Sequence, residues 1–384
     1  MIPSGRSAVA PFVVMDVMEA AARRERSGRE VMHLEVGQPS TPAPRTVLDA
    51  AARALRSDRL GYTVALGVPA LREAIAGHYT RRYGLTVPPE RIAVTTGSSG
   101  AFLLGFIAAF DAGARVAVAA PSYPCYRNIL QSLDIEVVAV PCGPDTRYEL
   151  TPEILDTLGP IQGVIVASPS NPTGSMIDRA GLFALAAWCD ANGATLISDE
   201  IYHGIEYGMA ATTALAVSDR AVVVNSFSKY FSMTGWRIGW MVLPEAAIRP
   251  VEKLMQNLFI SAPTLAQLAA VAAFDASTEL DGHVARYAAN RRILLDALPA
   301  QGLETFAPPD GAFYVYADIS PWTGDSVKFC ADLLEATGVA ITPGVDFDPP
   351  RGRRTVRFSY AADTESVTEA MNRLADFVRR PRAC

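Results

Sequence analysis

The residues with the clearest chemical potential are a lysine and an arginine that stand eight positions apart, Lys229 and Arg237. A lysine amine attacks a carbonyl carbon only when it is unprotonated, so a reactive lysine needs burial or nearby positive charge to lower its pKa. The apolar run at 221–224 predicts a buried strand leading to Lys229, and Arg237 offers a planar fork suited to phosphate. These features indicate a nucleophilic lysine beside a bound anion, although the spacing alone fits equally well a surface loop that carries both cations.

Two more polar motifs follow predicted strands at a similar interval. Asn171 begins an Asn-Pro-Thr-Gly sequence after the strand predicted at 163–167, and Asp199 and Tyr202 follow the strand predicted at 194–198. Asn171, Asp199 and Lys229 are separated by 28 and 30 residues, and a strand, a crossover helix and the return to the sheet take about 30 residues. Because ligands of open α/β sheets bind at the carboxyl edge of the strands, we expect these side chains to meet there.

A glycine-rich turn adds a fourth element to this edge. Residues 97–100 read Gly-Ser-Ser-Gly, between a strand predicted at 92–95 and an apolar helix predicted at 101–110. Such a turn presents backbone N–H groups, together with the hydroxyls of Ser98 and Ser99, to a phosphate at a helix N-terminus.

The elements that must position these residues alternate between strand and helix. Further strands are predicted at 115–119 and 238–243, the latter antiparallel to its neighbour because the loop before it is too short for a helical crossover. A helix is predicted at 69–84, with proline at its start and glycine at its end. This alternation predicts a large α/β domain at 45–280 with a mostly parallel, doubly wound sheet.

The C-terminal hundred residues have a different pattern. Amphipathic helices are predicted at 282–298 and 364–379, with short strands at 312–317, 339–342 and 354–359. We expect a smaller α+β domain that combines residues 281–384 with the N-terminal segment 1–44.

Taken in order, the motifs resemble those of the fold-type I, pyridoxal-phosphate-dependent aminotransferases of class I/II, over nearly the whole chain. The match joins Asn-Pro-Thr-Gly at 171–174, Asp-x-x-Tyr at 199–202, Ser-x-Ser-Lys at 226–229 and Arg-x-Gly at 237–239. The resemblance implies the fold-type I architecture and pyridoxal 5'-phosphate as cofactor. It also implies transfer of an amino group from an L-amino acid to a 2-oxo acid such as 2-oxoglutarate.

The resemblance further implies which residues are catalytic. By this resemblance Lys229 is expected to form a Schiff base with the cofactor aldehyde and then to move a proton from the substrate carbon. Asp199 is expected to face the pyridine nitrogen and to keep it protonated; the alternative is that Asp199 and Glu200 form an exposed acidic pair. Asn171 and Tyr202 match the residues that hydrogen-bond the phenolic oxygen of the cofactor.

Other matches concern the remainder of the cofactor. Tyr123 matches the aromatic residue stacked on the cofactor ring, with a tyrosine in a proline-stiffened loop as the alternative. The residues matching the phosphate-binding group are Ser98, Ser99, Ser226 and Arg237, with Ser228 as an additional donor. Tyr62 matches the tyrosine that reaches the phosphate of the neighbouring subunit, which implies a homodimer with shared active sites.

Three residues match the substrate-binding group of the family. Arg357 matches the arginine that binds the substrate α-carboxylate in fork geometry. Gly37 matches a glycine whose backbone lies near the same carboxylate, and Asn171 also belongs to this group. The segment around Gly37 is expected to fold over the site and to move on substrate binding.

The identity of the amino donor is less clearly marked. Relatives specific for dicarboxylates need a second cation, yet Lys253 is the only cation between residues 251 and 285, and the predicted helix 101–110 contains none. This favours a neutral or apolar donor, such as alanine or an aromatic or branched-chain residue. An aspartate aminotransferase and a carbon-sulfur β-lyase remain open alternatives. A ligand-sensing module is disfavoured because there is no room for a helix-turn-helix domain before residue 31, and a nicotinamide-dependent dehydrogenase because no Gly-x-Gly-x-x-Gly follows a strand.

Composition bears on partners and location. With a formal net charge of -6, the chain offers no electrostatic footprint for nucleic acid, and the Arg-Arg-Pro-Arg sequence at 379–382 is interpreted as a solvated tail. No window approaches the roughly 20 apolar residues needed to span a bilayer. The five cysteines and four histidines show no spacing suited to disulfides or metal ligands. We therefore expect a cytoplasmic enzyme of amino acid metabolism without a metal.

Overall fold

The computed structural model describes residues 2–379 of the chain. Part of the predicted solvated tail, Arg380 to Arg382, and also Cys384 lie outside the described residues. Within residues 2–379, no helix is both long and apolar enough to cross a membrane. Over the same range, no cluster of histidine, cysteine, aspartate and glutamate side chains is arranged to hold a metal ion.

The helices follow the apolar and amphipathic segments of the sequence. In chain order they are α1 (Val13–Arg26), α2 (Arg45–Ser57), α3 (Pro69–Tyr83), α4 (Gly97–Ala109), α5 (Pro124–Ser132), α6 (Pro152–Leu155), α7 (Arg179–Asn192), α8 (Glu245–Leu258), α9 (Thr264–Ala270), α10 (Ser277–Ala300), α11 (Ser326–Thr337) and α12 (Thr364–Arg379). Helix α3 shows the predicted end signals, because Pro69 begins it and Gly84 closes it at φ 68°.

The strands form one large sheet and two small ones. They are β1 (Met32–His33), β2 (Ile92–Thr95), β3 (Arg115–Ala120), β4 (Glu136–Pro141), β5 (Gly163–Ala167), β6 (Thr195–Asp199), β7 (Val222–Ser226), β8 (Gly239–Val242), β9 (Tyr314–Asp318), β10 (Val339–Ala340), β11 (Thr342–Pro343) and β12 (Thr355–Ser359). Strand β4 was not predicted, because it lies at a sheet edge and most of its residues are not fully buried.

The large sheet has the order β2-β8-β7-β6-β5-β3-β4. Strands β7, β6, β5, β3 and β4 run parallel to one another, whereas β8 is antiparallel to both β7 and β2. The predicted α/β class with a mostly parallel sheet is therefore confirmed, as is the antiparallel direction of β8. Neighbouring residues of one strand, such as Val223 and Val224, enter separate apolar clusters, because successive side chains point to opposite faces.

One crossover differs from the prediction. Helix α7 joins β5 to β6, but the connection from β6 to β7 contains only the 3-10 helix Ala214–Ala216 between residues 200 and 221. The expected helical crossover at this step is therefore wrong. The carboxylate of Glu200 accepts bonds from the Thr213 hydroxyl at 3.0 Å and the Ala214 N–H at 2.7 Å, and Gly204 and Gly208 adopt positive φ. These contacts hold the segment in turns.

The two small sheets combine both ends of the described chain. Strands β11, β12 and β9 form one antiparallel sheet, and β1 pairs in parallel with β10. Strands β1, β9, β10 and β12 share an apolar core with α10, α11 and α12. The division into 45–280 and 1–44 with 281–384 stays a prediction, and α10 begins at Ser277, four residues before the proposed boundary.

Candidate active site

The carboxyl ends of β5, β6 and β7 open onto one cleft with a cavity volume of about 200 Å³. Asn171, Asp199 and Lys229 all line it, so the structure brings together the three motifs that share the sequence spacing. The other residues that line the cleft are Phe12, Val14, Met15, Met18, Val36, Gly37, Gln38, Ser98, Ser99, Tyr123, Ile201, Tyr202, Ser228, Thr234, Arg237, Tyr314 and Arg357.

Lys229 lies in the loop that follows β7. Its Nζ donates a hydrogen bond to the backbone carbonyl of Gly37 and lies 5.8 Å from the centroid of the Tyr202 ring. Burial, together with the charges of Arg357 and Arg237, lowers the pKa of Lys229 to about 7, and the charge of Asp199 acts in the opposite direction. Near neutral pH a large fraction of the amine is therefore unprotonated, as a nucleophile requires.

Asp199 is the last residue of β6 and is buried. Its Oδ2 accepts a hydrogen bond from the Tyr126 hydroxyl, and its Oδ1 accepts one from the Ile201 N–H at 3.1 Å. Burial raises the pKa of Asp199 to about 6, although both hydrogen bonds and Lys229 act in the opposite direction. The alternative of an exposed acidic pair is wrong, because Asp199 is 4% exposed and Glu200 is 1% exposed.

Sequence reasoning missed Tyr126. Tyr123 is the N-cap residue of α5 and Tyr126 lies in its first turn, with the two ring centroids 5.4 Å apart. Residues three positions apart lie on the same side of a helix, so Tyr123, which lines the cleft, brings Tyr126 close enough to bond Asp199. The i, i+3 tyrosine pair was the available signal.

Arg357 is the central residue of β12 and is 2% exposed. Its Nη1 donates to Asn171 Oδ1 at 2.9 Å, and its Nη2 donates to the backbone carbonyl of Glu35. The guanidinium carbon lies 4.5 Å from the centroid of the Tyr314 ring and 4.8 Å from that of Phe347. Among the described residues its Nε has no partner, so this buried cation keeps a free donor for an anionic group.

Tyrosine hydroxyls line the same part of the cleft. The hydroxyls of Tyr202 and Tyr314 share a hydrogen bond at 2.6 Å, and burial raises the pKa of Tyr202 well above its ordinary value. Gly37 packs so closely that a Cβ atom at this position would lie 1.9 Å from the Tyr314 hydroxyl oxygen. Position 37 therefore requires a glycine for this segment to pack against Tyr314.

A second cationic group faces the start of α4. Helix α4 begins at Gly97 rather than at residue 101, and within the described chain the N-cap residue Thr96 makes no side-chain bond to its first turn. Gly97 has φ 76°, and a Cβ atom there would lie 2.5 Å from Arg237 Nη2. The N–H groups of the first turn, the hydroxyls of Ser98 and Ser99 and the guanidinium of Arg237 are thus available to one anion.

Two predicted site residues lie outside the cleft lining. Ser226 is buried behind Ser228: its hydroxyl oxygen lies 2.9 Å from Ser228 Oγ and 3.1 Å from the Ile238 carbonyl oxygen, and Ser228 lines the cleft. Tyr62 is 84% exposed in this single chain and lines no part of the cleft.

An apolar wall was also missed. Helix α1 and the residue before it contribute Phe12, Met15 and Met18, and Val36 and Ile201 join them in the lining. The spacing of Phe12, Met15 and Met18 places them on one face of a helix, but the same spacing is typical of ordinary core packing. The sequence offered no sign that this face meets the cleft.

Comparisons with known proteins point the same way as the geometry. The family model described as aminotransferase class I and II matches residues 29–374. The chain is 53% identical over 378 residues to a valine–pyruvate aminotransferase of Mycobacterium tuberculosis, with 97% of each protein covered, and 32% identical to an aspartate aminotransferase of Thermotoga maritima. Its structure is similar to that of an aminotransferase from M. tuberculosis, with a TM-score of 0.97 and 52% identity over 98% of this chain and 99% of the other. It is also similar to Thermus thermophilus aspartate aminotransferase with maleate, with a TM-score of 0.93 and 34% identity over 98% and 99% of the two chains.

Proposed function

The chain belongs to the class I and II aminotransferases, which use pyridoxal 5'-phosphate to exchange amino groups between amino acids and 2-oxo acids, and from this premise we propose the roles of its residues and the nature of its substrates. Lys229 is the residue that attaches to the cofactor aldehyde. Its position carries this proposal, because the chain has three lysines, Lys229, Lys253 and Lys328. Lys229 lines the cleft, whereas Lys253 and Lys328 are exposed.

The residues of the cleft fit the cofactor at each of its polar ends. The uncapped start of α4 and the guanidinium of Arg237 suit its phosphate. A Cβ atom at Gly97 would clash with Arg237, so glycine lets the backbone of this turn lie close to that guanidinium. Asp199 suits the ring nitrogen, and Lys229 suits the aldehyde. When bound, the cofactor supplies an aldehyde carbon that takes up the amino group and a ring that withdraws electrons.

Each side chain then has a defined task. Lys229 Nζ takes the proton from the substrate α-carbon, because a pKa of about 7 suits a general base near neutral pH. Asp199, ionised above about pH 6, holds the proton on the ring nitrogen. Arg357 binds the substrate carboxylate through its free donor, and Asn171 and Tyr202 provide hydrogen bonds to the phenolic oxygen.

The amino donor is proposed to be a neutral aliphatic amino acid of about the size of valine. Among the described residues that line the cleft, the cations are Lys229, Arg237 and Arg357, and all three already have tasks. The carboxylate of an aspartate side chain would therefore meet the apolar wall without a partner, which is unfavourable. The similarity to a protein named valine–pyruvate aminotransferase supports this choice.

The same apolar wall indicates the nature of the amino acceptor. Donor and acceptor occupy one site, so the distal carboxylate of 2-oxoglutarate would also lack a partner, and pyruvate is the better match. Aspartate is the second candidate donor, because several relatives at 29–34% identity are named aspartate aminotransferases.

Steady-state kinetics with L-valine, L-alanine and L-aspartate, each with pyruvate and with 2-oxoglutarate, test the proposal. We expect kcat/KM for valine to exceed that for aspartate by at least about tenfold, the size of effect that a desolvated, unpaired carboxylate produces. The Met15→Arg variant adds a cation to the wall and should shift the ratio towards aspartate. A wild-type preference for aspartate would refute the choice of donor.

We propose a homodimer in which Tyr62 of one chain reaches the anion-binding end of the cleft in the second copy. Tyr62 and Val64 are 84% and 60% exposed, and Leu258 and Ile260 are 50% and 44% exposed, so a second copy that covers them would bury apolar surface. The loop at 61 is held by Thr264, whose hydroxyl donates to the Gly61 carbonyl at 2.6 Å. Sedimentation of the holoenzyme should show a dimer; a fully active monomer would refute this arrangement.

A cytoplasmic location is proposed on the state of the thiols. Cys125, Cys142, Cys189 and Cys330 are free, which fits a reducing compartment. Fractionation of the source cells, with the protein detected by antibody, tests this assignment.

A further inference from the structure

Helix α1 carries much of the apolar wall but lacks an N-cap of its own. The N-cap residue is Phe12, and within residues 2–379 its side chain makes no capping bond. The first N–H groups of a helix need acceptors, and a first turn without them is less ordered.

Asp346 supplies the missing cap from a distant part of the chain. Its Oδ1 accepts the Val13 N–H at 3.0 Å, and its Oδ2 accepts the Val14 N–H at 3.2 Å. The side chain is fully buried, and it ends the 3-10 helix Gly344–Asp346. A carboxylate at this place also faces the positive end of the helix dipole. Both oxygens of one buried acid are therefore committed to the backbone of α1.

The turn that carries Asp346 is tied to the proposed substrate-binding residues. Arg127 donates to the backbone carbonyl of Asp346 at 2.5 Å. The next residue, Phe347, packs against the guanidinium of Arg357, and its carbonyl accepts the Ser122 N–H at 3.2 Å. One turn thus contacts α1, the strand of Arg357 and the loop that precedes α5.

Apolar packing also holds α1, near both of its ends. Its buried residues are Val14 and Ala21, and Ala21 packs on Leu334 and Ala340 near the other end of the helix. Met15, in the first turn, is 54% exposed. In the first turn Val14 is 4% exposed and the Phe12 ring meets the Tyr123 ring edge-on, with centroids 5.9 Å apart, so packing and the two bonds to Asp346 together fix the position of this turn.

We propose that Asp346 is a positioning residue for donor selectivity: by capping α1 from across the chain, it holds the apolar wall at a fixed distance from Arg357. It does not touch the substrate. The inference rests on the proposed function, because it requires the donor side chain to lie against Met15 and Met18.

The Asp346→Asn variant tests this role with almost no change in volume. One oxygen is replaced by an NH₂ group, which faces an N–H of α1 instead of accepting from it. In the holoenzyme we expect amide hydrogen exchange in the first turn of α1 to become about tenfold faster, as loss of a cap allows. KM for valine should rise about fivefold with kcat changed less than about twofold, whereas both constants for alanine should change less than about twofold, because its methyl group contacts little of the wall.

Asp348→Asn is the matched control. Asp348 is also buried in this turn, but it accepts its side-chain and backbone bonds from Arg351, at 2.7 and 3.3 Å. This variant should leave exchange in α1 and the valine KM unchanged. If Asp346→Asn does not fold, Arg127→Leu removes the support behind Asp346 and should give a smaller change in the same direction.

The measurements distinguish the capping role of Asp346 from its role in donor selectivity. Unchanged exchange in α1 of Asp346→Asn would overturn the capping role, and faster exchange with an unchanged valine KM would overturn the role in selectivity. A wild-type enzyme inactive on valine and alanine would instead refute the proposed donors, whereas exchange would still report on the cap.

Discussion

Removing the hydroxyl of Tyr126 should weaken cofactor binding in a pH-dependent way. This hydroxyl is the strongest of the groups that lower the pKa of Asp199, which stands at about 6. A hydrogen bond to a charged group contributes about 1.5–3 kcal/mol, and 1.36 kcal/mol corresponds to one pKa unit, so Tyr126→Phe should raise the pKa of Asp199 by about one to two units. At pH 7 the ionised fraction then falls from about 0.9 to between about 0.5 and 0.1.

Because only ionised Asp199 holds the protonated ring nitrogen, cofactor affinity should follow this fraction. Absorbance titration of the apoprotein with pyridoxal 5'-phosphate from pH 5 to 9 measures it. The acid-side midpoint of the Kd profile should lie near pH 6 in the wild type and about one to two units higher in Tyr126→Phe, with about two- to tenfold weaker binding at pH 7 and convergence at pH 9. Tyr123→Phe, which leaves both partners of Asp199 in place, is the control. An unchanged midpoint in Tyr126→Phe would refute the reasoning.

Two further perturbations have defined outcomes. Gly97→Ala places a Cβ atom 2.5 Å from Arg237 Nη2 at a residue with φ 76°, so cofactor affinity should fall by about tenfold or more. Gly235→Ala is the control and should bind the cofactor normally, because a Cβ atom there meets nothing within 4 Å among the described residues. Equal cofactor affinities of the two variants would contradict the proposed phosphate site. The hydrogen bond to Glu35 raises the pKa of His33 to about 9, so His33 stabilises the fold below pH 6.5 and loses that effect as the pH rises through 9. Urea unfolding should therefore show His33→Gln to be less stable than the wild type at pH 6, with the difference shrinking towards pH 10; a constant difference would contradict the ion pair.

The motifs at the carboxyl edge were predictable because each is a short local sequence and because the sheet topology brings them together. Asn171, Asp199 and Lys229 each follow a strand that apolar runs mark clearly, and parallel strands deliver their ends to one edge. The motifs meet at this edge even though the connection from β6 to β7 is not helical. A connection without a helix also returns the chain to a parallel strand, provided that it is long enough to cross the sheet. The buried contacts of Glu200 that shape this connection have no local signature.

The missed features depend on contacts between distant residues. Asp346 lies 333 positions from Val13, and no periodic pattern links an acid in a turn to the uncapped start of a remote helix. Phe12, Met15 and Met18 form an ordinary helical stripe whose partner is the cleft rather than the core. Tyr126 was missed for a different reason. Its spacing from Tyr123 is visible in the sequence, but its hydrogen bond to Asp199 is not.

The most direct test of the central claim is to find which lysine attaches to the cofactor. The holoenzyme is reduced with borohydride, digested, and mapped by mass spectrometry, and the sequence offers three candidates, Lys229, Lys253 and Lys328. The structure predicts the pyridoxyl mass on Lys229 alone, with none on the exposed Lys253 and Lys328. A label on either exposed lysine at comparable yield, or none on Lys229, would contradict the account.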